Sequence, residues 1–201
     1  MVGELEKYDF SYTSTSLRLQ ELLKVATAMQ EGRELDFTNE LGGGKTSTGK
    51  RRKTEFEKRL KGLTPDELEL LIHGDLISQR QLAYISICKT FGFIRDFTVE
   101  VLREKLLVFD YQITDGDYIT FFRRKAELYP EMEELSDVTV KKLRQVLFRM
   151  LEEAGLIDSS KSRVIQPQIV DHKLIDVVLN DNPKWLKVLL LSDHDIALMR
   201  K

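Results

Sequence analysis

From Leu63 to Gly74 the chain reads LTPDELELLIHG, a segment that spells out both ends of one helix. Thr64 has the short hydroxyl side chain of an N-cap, and Pro65 sits in the first turn, where its missing N–H is no loss. Glu67 stands three residues after Thr64, the spacing that closes a capping box, and Gly74 ends the segment. A helix so marked must bury its apolar stripe against something. The rest of the sequence supplies mostly further helices of the same period, which constrains the chain to helix-on-helix packing.

Upstream, Leu19, Leu22, Leu23, Ala26 and Met29 recur at three and four, predicting a helix from Ser14 or Ser16 to about Gly32 with Arg18, Glu21 and Lys24 outward. Before it, Tyr8, Phe10 and Tyr12 alternate with polar residues, the period of a short extended segment. Residues 33 to 49 lose helical order, and three consecutive glycines predict a mobile connector. A basic helix then starts near Thr48, turns Phe56 and Leu60 inward and stops at Gly62. Ser78 to Phe91 reads as a mostly buried helix through Leu82 and Ile85. RDFTVEVLREKLLVFD reads as an amphipathic one, with Phe97, Val101, Leu102 and Leu106 along one stripe.

In the last third, Thr114 caps a helix to about Tyr129, Pro130 breaks it, and Ser136 caps a longer one that Gly155 ends. The apolar stripe of that longer helix is Val140, Leu143, Leu147, Met150, Leu151 and Ala154. LID and RVIQP then flank the polar turn SSKS, which is a hairpin signal. Helix, turn, helix, hairpin is the order of a winged helix-turn-helix. Two short amphipathic segments, around Lys173 to Leu179 and Pro183 to Leu191, finish the chain. The 201 residues have room for one sizeable core or two small ones. The expected fold is mainly α, two packed helical subdomains: residues 1–110 with the basic helix, and residues 111–201, winged helix-turn-helix-like with a short β-hairpin and a tail.

With 42% apolar and 32% charged residues and only four prolines, the chain has a folded, helix-rich composition. The lone Cys88 excludes an internal disulfide framework and a cysteine-based zinc site within one chain, which fits a reducing compartment. MVGELEKYDF has no apolar core of a secretory leader, and the run VLLL from Val188 falls far short of the ~20 residues that span a bilayer. A cytoplasmic protein without a membrane segment is expected.

Gly44 to Lys50 follows P-loop spacing up to the last position, where Arg51 replaces the hydroxyl that would hold magnesium. ELDFTNEL upstream also lacks the β-branched run of the strand that motif requires. His73, His172 and His194 lie far apart with no metal-ligand spacing, and Cys88 sits among Ile85, Ile87 and Phe91 as a buried thiol. Asp115 and Asp117 fall in a first helical turn, where negative charge suits the helix dipole, and the DHD of Asp193 to Asp195 stands alone. No catalytic residue, metal site or cofactor is expected.

A net charge of −2 gives no bulk reason to expect nucleic acid, but the charges cluster. Lys45, Lys50, Arg51, Arg52, Lys53, Lys58, Arg59 and Lys61 face only Glu55 and Glu57, behind an entry rich in hydroxyls and backbone N–H groups. Lys50, Arg51, Arg52, Lys53 and Arg59 are therefore candidate phosphate contacts, with a plain solvated face as the bland alternative. On the helix after Ser136, Lys141, Lys142, Gln145 and Arg149 stand opposite the apolar stripe with Arg144 at its border, and Gln145 can bond base edges. In the winged reading this is the recognition helix, flanked by Lys161 and Arg163 of the hairpin. Double-stranded DNA is the partner that two such faces suit, held mainly through phosphates, with log K falling by ~0.9 per phosphate neutralised as salt rises.

YDFSYTSTSL, LTPDELELLIHG, ISICKTFGFIRDFTVEVLREKLL and VKKLRQVLFRMLEEAGLI, in this order between Tyr8 and Pro167, resemble the BrxA family, small proteins of the BREX phage-defence systems of bacteria and archaea. The resemblance implies a non-enzymatic, all-helical, DNA-binding component that acts alongside a methyltransferase, an ATPase and other BREX proteins. It implies basic residues leading into the helix at Lys50 to Leu60, where Lys50, Arg51, Arg52 and Arg59 stand. The triple glycine departs from the family pattern, so no nucleotide site is inherited, and there are no catalytic residues to transfer. The description "inner membrane protein" that some members carry finds no span here. The alternative is an adaptor that docks other BREX subunits without contacting DNA, and a Tyr8 to Tyr12 strand edge would suit pairing with a second copy as a homodimer.

Overall fold

The capped helix starts at Thr64, Thr114 and Ser136 are where the structure makes them, whereas the first helix starts at Leu19 rather than at Ser14 or Ser16, the basic one at Thr46 rather than Thr48, and the buried one at Leu76, capped by Asp75, rather than at Ser78. In the computed structural model, which describes residues 7–200, the Thr64 hydroxyl accepts from Glu67 N at 3.2 Å while the Glu67 carboxylate accepts from Thr64 N at 2.8 Å. Thr114 and Asp117 repeat this reciprocal cap, and Ser136 accepts from Thr139 N at 3.3 Å. The resulting elements are α1 (Leu19–Glu31), α2 (Phe37–Glu40), α3 (Thr46–Leu60), α4 (Pro65–His73), α5 (Leu76–Thr90), α6 (Gly92–Phe97), α7 (Glu104–Leu107), α8 (Asp115–Ala126), α9 (Asp137–Ala154), α10 (His172–Asp181) and α11 (Asp193–Met199). Short 3-10 turns lie at Ser11–Ser14, Pro130–Met132 and Pro183–Leu189. The leader reading of the N-terminus falls largely on residues 1–6, outside the described residues.

Helix α5 is the axis of the packing. Leu82, Ala83, Tyr84, Ile85, Ile87 and Cys88 are wholly buried, so its apolar residues run around the helix rather than along one stripe. Around it pack α1, α3, α4, α6, α9 and the Pro183–Leu189 turn. One cluster of buried apolar side chains extends from Tyr8 to Ile196, drawing on both halves of the chain. Met29, expected inward on α1, is instead exposed, and Val25 and Ala28 share the buried face with Leu22 and Ala26.

Several expectations are corrected. No strand forms among the described residues, so the hairpin of the winged element is absent; two isolated antiparallel bridges, Ile157 with Ile165 and Gln112 with Val164, are all that pair. The pairing stops there because the Asp158 carboxylate takes Val164 N at 2.8 Å, and Pro167 has no N–H to continue it. Tyr8 to Tyr12 is not a strand either: its aromatic rings turn into the chain's own core, with Tyr8 stacked on Tyr129 at 3.8 Å and Tyr12 edge-on to Phe91 at 5.5 Å. It therefore offers no strand edge to a second copy.

The single amphipathic helix expected after Phe91 is divided into α6, a π-helical stretch at Thr98–Arg103, and α7. There the Thr98 hydroxyl bonds back to Ile94 O at 2.8 Å and pairs with the Tyr84 hydroxyl, inserting a side chain into the helical ladder. The predicted mobile connector is ordered, with α2 lying on the start of α3. Gly49 makes that approach feasible, since a Cβ there would collide with Phe37 O.

The segment 8–18 acts as a strap across the molecule, and a buried arginine fastens it. Arg59, wholly buried on α3, pairs with Glu55 and donates to Ser16 O at 2.9 Å and Thr15 O at 2.8 Å. Glu153 of α9 accepts from Ser16 Oγ at 2.9 Å and Arg18 N at 3.1 Å, so the strap is tied to α3 on one side and α9 on the other. Its leading end is held by the Asp96 carboxylate, which accepts from Tyr8 Oη at 2.6 Å and Lys125 Nζ at 2.9 Å. Burial by itself would raise the Asp96 carboxyl, but those two hydrogen bonds and the lysine charge outweigh it and hold it below the ordinary carboxylate value.

Two outcomes follow. Arg59→Ala takes the cation from the buried Glu55 and strips two strap carbonyls of their donor, so it lowers the unfolding free energy by about 3–5 kcal/mol in urea titration. A depressed carboxyl contributes stability above its unfolded pKa and loses it as pH falls through the folded value. The stability advantage of wild type over Asp96→Asn is therefore full above about pH 5 and shrinks below about pH 4, read from thermal melts across pH. A pH-independent difference would contradict that assignment.

Candidate nucleic-acid interface

On α9 the inward stripe of Leu143, Leu147, Met150 and Leu151 is buried, and this orients the opposite face outward. Lys141, Lys142, Gln145 and Arg149 are exposed there, as is Lys161 in the 158–163 turn. Between α9 and this turn lies an open concavity of about 820 Å³ whose walls include Lys141, Arg144, Gln145, Arg149, Ser160 and Arg163. Its floor is Phe148, with the Arg163 guanidinium 4.3 Å above the ring. The same Arg163 donates to Ser160 O at 3.0 Å, an attachment helped by its left-handed backbone at φ 55°. Arg144 lies over Tyr118 at 5.6 Å. Both guanidiniums pair with one carboxylate, Asp115 at the first position of α8. Arg149 bonds Glu153 at 3.1 Å, whereas Lys141, Lys142 and Lys161 make no ion pair among the described residues.

The basic helix α3 presents a second concavity, also about 820 Å³. Ser47, Lys50, Arg51, Thr54, Glu55 and Lys58 form one wall at helical spacing, and Ser11 and Thr13 of the strap form the other. Lys50 and Arg51 are exposed and unengaged by carboxylates among the described residues, while Lys58 pairs with Asp9. The remaining candidates of α3 have partners within the chain. Arg59 is inside the strap clasp. Arg52 donates to Leu41 O at 2.5 Å and meets Glu21 at 3.4 Å, and Lys53 pairs with Glu57 at 3.6 Å.

In the glycine-rich entry to α3 the glycine amides are taken up by the fold: Gly42 N bonds Phe37 O at 2.9 Å, Gly44 N bonds Thr38 O at 3.0 Å, and Gly49 N bonds Lys45 O at 3.0 Å. Gly43 and Gly44 have positive φ, 57° and 85°, because the chain reverses there, and Gly49 is required by contact with Phe37. Turn and packing demands thus produce a spacing that imitates a nucleotide motif. Cys88 is sealed in α5, and burial pushes its thiol up to about 12, far from the range of a nucleophile at neutral pH. No helix among the described residues is long and apolar enough to cross a membrane.

Sequence reasoning missed Ser11 and Thr13, because nothing local says that the strap lies opposite α3. It also read Asp115 only as a first-turn acid. Ser47 and Thr54 were recoverable, since they share the face of Lys50, Arg51 and Lys58 by spacing alone. The two concavities share a frame: the strap that walls the first ends on Glu153, which lines the second.

Against known proteins, the chain matches the BrxA family model over residues 6–182. It is 34% identical over 121 residues to a "BREX protein BrxA" of Bacillus cereus (strain H3081.97), covering 60% of this chain and 59% of that protein. A second "BREX protein BrxA", from Escherichia coli O9:H4 (strain HS), is 24% identical over 128 residues, 64% of this chain and 60% of the relative. The aligned stretches thus span about three fifths of the relatives' own length. In structure, the chain resembles a crystal structure of an uncharacterized protein from Magnetospirillum magneticum, with a TM-score of 0.78 and 19% identity over 92% of this chain and 98% of the other. That likeness concerns the fold. With the family model covering most of the chain and two curated relatives of the same name, this protein belongs to the BrxA family of BREX phage-defence proteins.

Proposed function

We propose that the chain is a non-enzymatic, cytoplasmic DNA-binding component of a BREX system, gripping duplex DNA mainly through its phosphates. The observation that carries this reading is the outer face of α9 and the adjoining turn, where Lys141, Lys142 and Lys161 stand exposed with no carboxylate partner among the described residues, beside a concavity that Lys141, Arg144, Arg149 and Arg163 line together with Glu152 and Glu153. Uncompensated lysines on an exposed helix face suit a polyanion, and Gln145 on the same face has an amide suited to a base edge. The α3 concavity, with Lys50, Arg51 and four hydroxyls, adds a second contact to backbone phosphate.

Fluorescence anisotropy with a mixed-sequence duplex across a salt series tests it. Lys141→Glu/Lys142→Glu and Lys50→Glu/Arg51→Glu each weaken binding by about tenfold or more at low salt and flatten the salt dependence by ~0.9 for each phosphate no longer neutralised. Arg52→Gln leaves that slope unchanged because its guanidinium is engaged by Leu41 O and Glu21. Absence of binding by wild type at low salt would refute the reading.

A second reading, docking of another BREX subunit, is favoured by an exposed apolar run after α7. Val108 is 71% and Phe109 79% exposed, and Phe109 holds a left-handed backbone at φ 62°, a conformation unfavourable for a bulky residue. Under this reading Val108→Ser/Phe109→Ser abolishes co-purification with BREX partners after nuclease treatment while duplex affinity is unchanged. Retained co-purification would count against it.

A further inference from the structure

We propose that Asp115 is a carboxylate latch on the α9 concavity, engaging Arg144 and Arg163 when no nucleic acid is bound and so setting how tightly the groove takes phosphate. This rests on the DNA-binding reading above and names a residue that tunes it. The cap of α8 is complete without Asp115: the Thr114 hydroxyl accepts from Asp117 N at 3.2 Å, and Asp117 accepts from Thr114 N at 2.7 Å. Asp115 is left to point outward, its side chain 62% exposed, and a single oxygen, Oδ1, receives both guanidiniums. The two arginines come from different elements, α9 and the 158–163 turn, and both line the concavity.

The guanidiniums do not depend on Asp115 for their position. Arg163 remains seated over Phe148 and bonded to Ser160 O, and Arg144 remains over Tyr118. What the carboxylate changes is charge. It offsets half of the positive charge the pair presents and occupies donors that a phosphate would need. The Arg163 hydrogen bond holds its carboxyl below the ordinary value, so the latch stays charged at neutral pH. A polyanion must displace it to engage both arginines, which lowers the affinity of the groove for phosphate.

The test is anisotropy of the full chain on a mixed-sequence duplex of about 20 base pairs across a salt series, a length of about two helical turns. Wild type is compared with Asp115→Asn, Asp115→Ser and Asp66→Asn. Asp66 is also a first-turn aspartate, on α4, and lines a separate concavity with Asp171 and Lys173, so it reports the generic effect of losing one negative charge. The expectation is that Asp115→Asn and Asp115→Ser tighten binding about three- to tenfold at low salt, the size of one close charge interaction near a surface. Their log K against log salt steepens by ~0.9–1.8, one or two further phosphates, while Asp66→Asn moves affinity less than about twofold. Wild-type binding with Asp115 variants that match Asp66→Asn, or bind more weakly, overturns the latch and leaves the DNA reading standing. If no protein in the set binds duplex DNA, that reading fails and the latch falls with it.

Discussion

The architecture depends on one buried guanidinium. Arg59 lies wholly inside the protein, and a charge so placed is destabilising unless its donors and its counter-charge are both met. Glu55, one turn earlier on α3, supplies the counter-charge; Ser16 O and Thr15 O take Nη1 and Nη2, and Nε is the one donor with no hydrogen-bond partner among the described residues. Because the acceptors are main-chain carbonyls of the strap, satisfying the arginine also fixes where segment 8–18 runs. From that placement follow the hydroxyls of Ser11 and Thr13 opposite Lys50, and the anchoring of Ser16 and Arg18 on Glu153 beside the α9 concavity. A structural ion pair thus sets the relative position of two basic surfaces that are far apart in sequence.

Charged residues of the same type carry opposite duties in this fold. Arg52, Arg59, Arg103 and Lys125 act as internal braces: Arg103 donates to Leu191 O at 2.7 Å and Lys125 joins Asp96 to Glu100. Lys50, Arg51, Lys141, Lys142 and Lys161 are left outward without carboxylate partners among the described residues. The distinction rests on what lies across the fold from each side chain. A count of basic residues along α3 therefore overstates its exposed positive charge, whereas on α9 the apolar stripe is regular enough that the outward set is read correctly by spacing.

The same division between local and distant causes explains what was legible in the sequence. Helix boundaries at Thr64, Thr114, Ser136 and Gly155 were readable because caps involve residues within a few positions of one another. The family was readable because long segments carry it. The turn at 158–163 was not, since β-prone residues on both sides cannot show that Asp158 will take the Val164 amide and truncate the pairing. Tyr8, Phe10 and Tyr12 have the alternation of a strand but obey a tertiary demand, filling aromatic contacts with Tyr129, Phe91 and Phe93. The glycines of 42–49 suggested mobility, or a phosphate loop, from composition; their cause is the approach of α2 to α3, which no local pattern records. Of the candidate contacts, Arg59 was misplaced for the same reason: helical spacing shows which face a residue is on, not what covers that face.

Amide chemical-shift mapping of the full chain titrated with duplex DNA tests the central claim most directly, because it reports location as well as binding. The account predicts shifts along the outer face of α9 at Lys141, Lys142, Gln145 and Arg149, in the turn at Lys161 and Arg163, and at Lys50, Arg51 and Thr54 on α3, with little change at Asp66 and Glu69 on α4. Shifts confined to α4 and α10, or none at saturating DNA in low salt, would contradict it.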